Sequence, residues 1–200
     1  MRRGAIGACL AIGLLAGCAS QPPAPITVAF DRARARSQLA PGNNEISGIA
    51  LLWLSSGGVV SCAGESATLY PATAYAREWA RRVYEPVELE RRLAPPDFFY
   101  RPDSQGAGGP AVDTAFLETS RAVSCDADGH FHFGSVADGE YYLVAKIVWQ
   151  PHLWDEHNFY YGNRYHDLAG SVMKKIRVRG GQKATANLKW SVPNSRWNLW

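Results

Sequence analysis

From Tyr141 to Trp149 apolar side chains stand on alternate positions, Tyr141, Leu143, Ala145, Ile147 and Trp149, while Glu140, Tyr142 and Lys146 fall between them. A period of two is the mark of a strand that turns one face to a core. The same pattern predicts strands near Ile46 to Leu54, Gly58 to Cys62, Ala67 to Tyr70, Arg121 to Cys125, His130 to Phe133, Ser171 to Val178 and Lys183 to Trp190. Four turn signals divide them: Ser55-Ser56-Gly57-Gly58, Asp126-Ala127-Asp128-Gly129, Ala137-Asp138-Gly139 and Arg179-Gly180-Gly181-Gln182. Their glycines tolerate positive φ, so neighbouring strands are expected to run mostly antiparallel and half-buried.

One stretch breaks the period. Ala72 to Leu93 is rich in Ala, Arg and Glu, and Tyr75, Trp79 and Val83 recur at helical spacing, one apolar stripe suited to packing on a sheet. Pro86 is expected to end or kink this helix, with Val87 to Leu93 resuming it. The prolines and glycines between Ala94 and Glu118 then predict a long irregular loop. A second excursion, Pro151 to Gly170, is crowded with His and aromatic residues, among them Trp154, Tyr160 and Tyr161.

The chain has 200 residues, of which 46% are hydrophobic and 20% charged, enough for the core of one ordinary domain. Its formal net charge is +3, and Arg2 and Arg3 supply two of those positives from the extreme N-terminus. The remaining balance is too even to favour nucleic acid as a partner.

That N-terminus reads as an address. Arg2 and Arg3 precede an apolar run from Ala5 to Ala16, too short to span a bilayer and built like a secretory leader. Leu15-Ala16-Gly17-Cys18 resembles the lipobox of bacterial lipoproteins. The resemblance implies a signal peptide over residues 1–17 and a lipid-bearing Cys18 as the mature N-terminus, palmitate among its acyl chains. It also implies a membrane partner through that lipid. Gln21-Pro22-Pro23-Ala24-Pro25 favours extended, solvated backbone, so residues 18–43 are expected to form a lipidated tether ahead of one domain at 44–200. Ala19 occupies the position where enteric lipoproteins kept in the inner membrane carry Asp, which directs the expectation to the outer membrane, facing the periplasm or the cell surface.

Within the body only Cys62 and Cys125 remain, each beside a turn, and an even pair in an exported chain predicts a disulfide. His130 and His132 lie two apart on one strand, which sets both imidazoles on one face, a geometry metal sites use. The alternation puts Phe131 and Phe133 on the buried face, so the histidines are expected at the surface or under the second excursion, where His152, His157 and His166 could approach them. Asp126 and Asp128 are expected to be turn residues, because the later ligand positions of an EF-hand are missing. No G-x-S-x-G elbow and no phosphate-binding loop occurs in the sequence.

Asp126 to Phe133, followed by Gly134 to Leu143, resembles the hairpin of carboxypeptidase regulatory-like domains, in which D-x-x-G-x-F-x-F leads through a short loop to G-x-Y-x-L. Gly48-Ile49-Ala50 and Gly64 to Pro71 are similar to the first strands of that family. The resemblance implies a mainly β fold, a prealbumin-like antiparallel β-sandwich of about seven strands with one inserted helical segment and long loops. The insertions then fall at 72–119 and 151–170. Such domains accompany enzymes without supplying catalytic residues, so the expectation is a noncatalytic envelope module with no cofactor. Its partner is expected to be an envelope protein or a glycan, met through Trp154, Tyr160 and Tyr161. The competing expectation is a metal-dependent enzyme or metal-binding protein using His130 and His132.

Overall fold

The computed structural model describes residues 25–54, 58–84, 98–103, 112–149 and 168–191, with backbone alone over 98–103 and at 149 and 168. The long strand β1 (Asn44–Trp53) is the spine of the first of two five-stranded sheets. Along one edge it pairs antiparallel with β6 (His130–Val136) and then with β2 (Val59–Ser61). Along the other it pairs with β9 (Lys183–Thr185) and then with β10 (Leu188–Ser191), and both of these pairings are parallel. The second sheet runs β4 (Phe98–Asp103), β8 (Leu168–Val178), β7 (Gly139–Trp149), β3 (Ser66–Pro71), β5 (Arg121–Ser124), antiparallel throughout.

The sheets face each other over the core that the alternation predicts. Ile46, Ala50 and Leu52 of β1 and Phe131 and Phe133 of β6 meet Leu69 of β3 and Tyr141, Leu143, Ala145 and Ile147 of β7. The fold is therefore mainly β and sandwich-like, as the pattern implies. Strands β6 and β7, read from the sequence as a hairpin, do not pair with one another. They belong to opposite sheets, and the turn at Ala137 and Asp138 carries the chain across the sandwich. Their aromatic residues meet through the core instead of along a ladder.

The second sheet is covered on both faces, so its strands are not the half-buried strands the alternation predicts. Tyr142 of β7 and Met173 of β8 point away from the first core into a second one, formed with helix α2 (Ala74–Tyr84) and the short α3 (Thr114–Glu118). The stripe Tyr75, Trp79 and Val83 lies in this second core, with Phe116 of α3 at its centre, 5.0 Å from the Tyr70 ring and 5.2 Å from that of Trp79. Thr73 starts α2 by accepting a hydrogen bond from the Ala76 amide at 3.2 Å, as a helix cap should. A helix with Arg77 and Arg81 exposed on its outer side and aromatics beneath is thus held by packing rather than by its own propensity.

Three further elements depart from the sequence reading. The segment taken as an irregular loop supplies β4 and α3, and β4 forms the outer edge of its sheet, where Pro102 removes no ladder bond that the interior would need. The expected run Lys183 to Trp190 is two strands, broken where Ala186 donates its amide to the Ser47 carbonyl at 2.8 Å. That approach requires Gly48, since a Cβ there would lie 2.1 Å from the Ala186 carbonyl oxygen. Finally, the part of the expected tether from Ile26 onward is folded. Ile26 and Phe30 pack on the second core and α1 (Arg32–Gln38) follows, capped by Asp31.

The ends of the core are closed by buried polar groups that are fully paired. Asn44, wholly buried, donates to the Val136 carbonyl at 2.9 Å and to Asp138 at 2.8 Å, and accepts from the Gln182 amide at 2.8 Å. Beside it, one extra residue in β6 makes a bulge, and Ser135 takes up the positive φ of 49°. Cys62, just past β2, and Cys125, just past β5, are joined as a disulfide with Cα atoms 5.8 Å apart. The bond staples one sheet to the other.

Candidate functional site

On the outer face of the first sheet the strand period leaves a patch of polar side chains. Across three strands the register sets His132 of β6 beside Ser47 of β1 and Ser47 beside Thr185 of β9. The next row up carries His130 beside Ile49, and Lys189 of β10 stands beside Leu51. Asn187 projects from the link between β9 and β10, on the same face. Together they line an open groove of about 830 Å³, within the roughly 300–1,000 Å³ common for small-ligand sites.

The floor and rim follow from the same construction. Gly48 leaves room on the core side of the sheet for the Phe131 ring, whose tip lies 2.7 Å from where a Cβ would sit, while on the outer face Ile49 supplies apolar carbon at the groove floor. Ser124 and Asp126 form the rim, on either side of Cys125, and the disulfide fixes that rim to β2.

The rim turn is organised by Asp126. Its Oδ1 accepts hydrogen bonds from the amides of Asp128 at 3.0 Å and His130 at 2.8 Å, and the His130 ring nitrogen Nδ1 lies 3.5 Å away. Donation by the His130 amide is the main reason its carboxyl is held below the usual range. Gly129 closes the turn with φ of 84°, and a Cβ there would meet the Ser61 side chain at 2.6 Å. The expectation that Asp126 and Asp128 are turn residues fits this geometry.

His130 and His132 both project to the exposed face of β6, between buried Phe131 and Phe133, as the alternation predicts. Among the described residues the metal-ligating atoms near His130 are those of Asp126 and Asp128, all within 4.8 Å of one another, and His132 is not part of that group. All three residues are exposed, and Asp126 is already engaged by two amides. His152, His157 and His166, like the expected contact residues Trp154, Tyr160 and Tyr161 and the lipid site Cys18, lie outside the described residues.

Sequence reasoning identified the two histidines but missed Ser47, Thr185, Asn187 and Lys189. The signal for β1 and β6 was their alternation; for the other edge it was hidden, because parallel pairing with β9 and β10 joins residues far apart in the chain. Among the described residues the side chains of Ser47, His132, Thr185, Asn187 and Lys189 make no hydrogen bond or ion pair within the protein. No serine hydroxyl among those residues is bonded to a histidine, and no helix among them is long and apolar enough to cross a membrane.

The class defined by these features is a β-sandwich with helices on one side and an open polar groove on the other. A solved structure of similar fold is that of a proposed carbohydrate-binding protein from Pseudomonas aeruginosa. The two share 20% identity with a TM-score of 0.56, over 80% of this chain and 97% of the other. No family model matches the chain, and no curated protein does.

Proposed function

We propose that this protein is a noncatalytic, lipid-anchored binding module of the bacterial cell envelope, and that its ligand is a glycan held in the groove across β1, β6, β9 and β10. The observation that carries the reading is the groove itself: the side chains of Ser47, Thr185, Asn187 and His132, without hydrogen-bond partners among the described residues, arranged around Ile49 at the floor. Such a surface can exchange water for the hydroxyls of a sugar while the floor meets the apolar face of its ring. The likeness in fold to a protein proposed to bind carbohydrate supports the same reading. The anchor rests on Leu15-Ala16-Gly17-Cys18, and a carboxypeptidase regulatory-like ancestry on the Asp126 to Leu143 segment.

The test is retention on immobilised envelope polysaccharide. The wild type should be retained, and the combined variant His132→Ala, Asn187→Ala should pass through while keeping its circular dichroism spectrum. Retention that survives in this variant but is lost when Trp154, Tyr160 and Tyr161 are replaced by Ala would move the ligand from the sheet face to the β7–β8 connection.

A further inference from the structure

The groove has the donor set of a neutral ligand. Its lining carries two formally charged side chains of opposite sign, Lys189 on β10 and Asp126 in the turn before β6. The carboxylate of Asp126 is committed to two backbone amides. Lys183, the next cation along this edge, is paired with Glu45 at 3.5 Å. No arginine lines the groove, so the planar fork that recognises carboxylate or phosphate is missing among the described residues there.

The groups between the two charges are ones that both donate and accept. Ser47 and Thr185 contribute hydroxyls, Asn187 an amide, and His130 and His132 imidazoles. A sugar hydroxyl also does both, whereas an anion only accepts and would leave half of this capacity unused. The rows set by the strand register span roughly 10 Å across three strands, and successive rows are spaced roughly 7 Å along β1. At the centre Ile49 gives carbon for the ring face of a sugar.

We infer that the groove selects a neutral, hydroxyl-rich oligosaccharide lying along β1, and discriminates against acidic glycans. This rests on the proposal that the groove binds glycan at all. In the test, the full chain in detergent is titrated calorimetrically with maltotriose, cellotriose and chitotriose as neutral probes, and with trigalacturonate as the acidic one, at low and high salt.

At least one neutral trisaccharide should bind with affinity unchanged by salt, and trigalacturonate at least tenfold more weakly. Asn187→Ala and Ser47→Ala should each weaken the neutral ligand several-fold. Preference for trigalacturonate, falling with salt and abolished by Lys189→Glu, would overturn the neutral assignment and leave glycan binding standing. Absence of heat with all four sugars, from protein whose fold is verified by circular dichroism, would overturn both.

Discussion

Tyr141 shows how a single residue can close a sandwich. Its ring is buried in the main core, yet its hydroxyl donates to the carbonyls of Gln38 at 2.8 Å and Ala137 at 2.9 Å. It thus ties the last residue of α1 to the turn between β6 and β7, much as a tyrosine corner pins backbone in immunoglobulin-type sandwiches. Burial, and then the charge of Asp138, push its hydroxyl up from 10.0 to about 12. The folded state therefore favours the neutral phenol. The stability this confers should be whole below pH 10.0 and should drain away as pH climbs from there towards 12. Tyr141→Phe should cost about 1–3 kcal/mol in urea unfolding at neutral pH, since two carbonyls lose their donor. The same variant should show a shallower loss of stability than the wild type across the alkaline range, which pH-dependent unfolding curves would reveal.

At the scale of elements, the strands with a clean period of two were legible and the ones that depend on distant partners were not. Tyr141 to Ile147 and His130 to Phe133 declare residue by residue the faces they turn to the main core, and the Cys62–Cys125 pairing expected from export is present. Strand β4 carries no such period and contains Pro102, so only its pairing with β8 makes it a strand. The split between β9 and β10 depends on Gly48, which lies well over a hundred positions earlier and gives no local sign of what crosses it. The groove was half legible for that reason: β6 announced its histidines, while the parallel edge stayed hidden. The disulfide bears on the same elements, because it joins the ends of β2 and β5 beside the groove rim. Closing a loop of 63 residues, it should contribute about 4 kcal/mol by restricting the unfolded chain. Replacing both cysteines by Ala, or adding reductant, should lower the thermal midpoint, and calorimetry with and without reductant would measure it. An unchanged midpoint would show that the sheets need no staple.

For the whole molecule, the order of layers is groove, first sheet, main core, second sheet, aromatic second core and helices. The N-terminal segment belongs to the last of these. Thr27 gives its amide and hydroxyl to Glu78 of α2, Val28 gives its amide to the same carboxylate, and Phe30 lies edge-on to Tyr75 at 5.4 Å. Those amides and the Arg82 partner hold the Glu78 carboxyl below its ordinary range against the opposing effect of desolvation. The address itself is tested by Cys18→Ser: the variant should leave the membrane pellet for the soluble fraction and lose incorporation of labelled palmitate. A variant that still sediments with membranes would remove the anchor from the proposal.

Under the proposed anchor, the strap on α2 would decide which way the molecule looks. From Cys18 to Pro25 the chain can stretch at most roughly 25 Å, and it sets out from the helical side. With the proposed lipid on Cys18, a leash that short, fastened there, would keep the helices toward the bilayer and turn the flank with the proposed glycan groove outward. What it would catch is whatever lies beyond the lipid surface, not the headgroups beneath it.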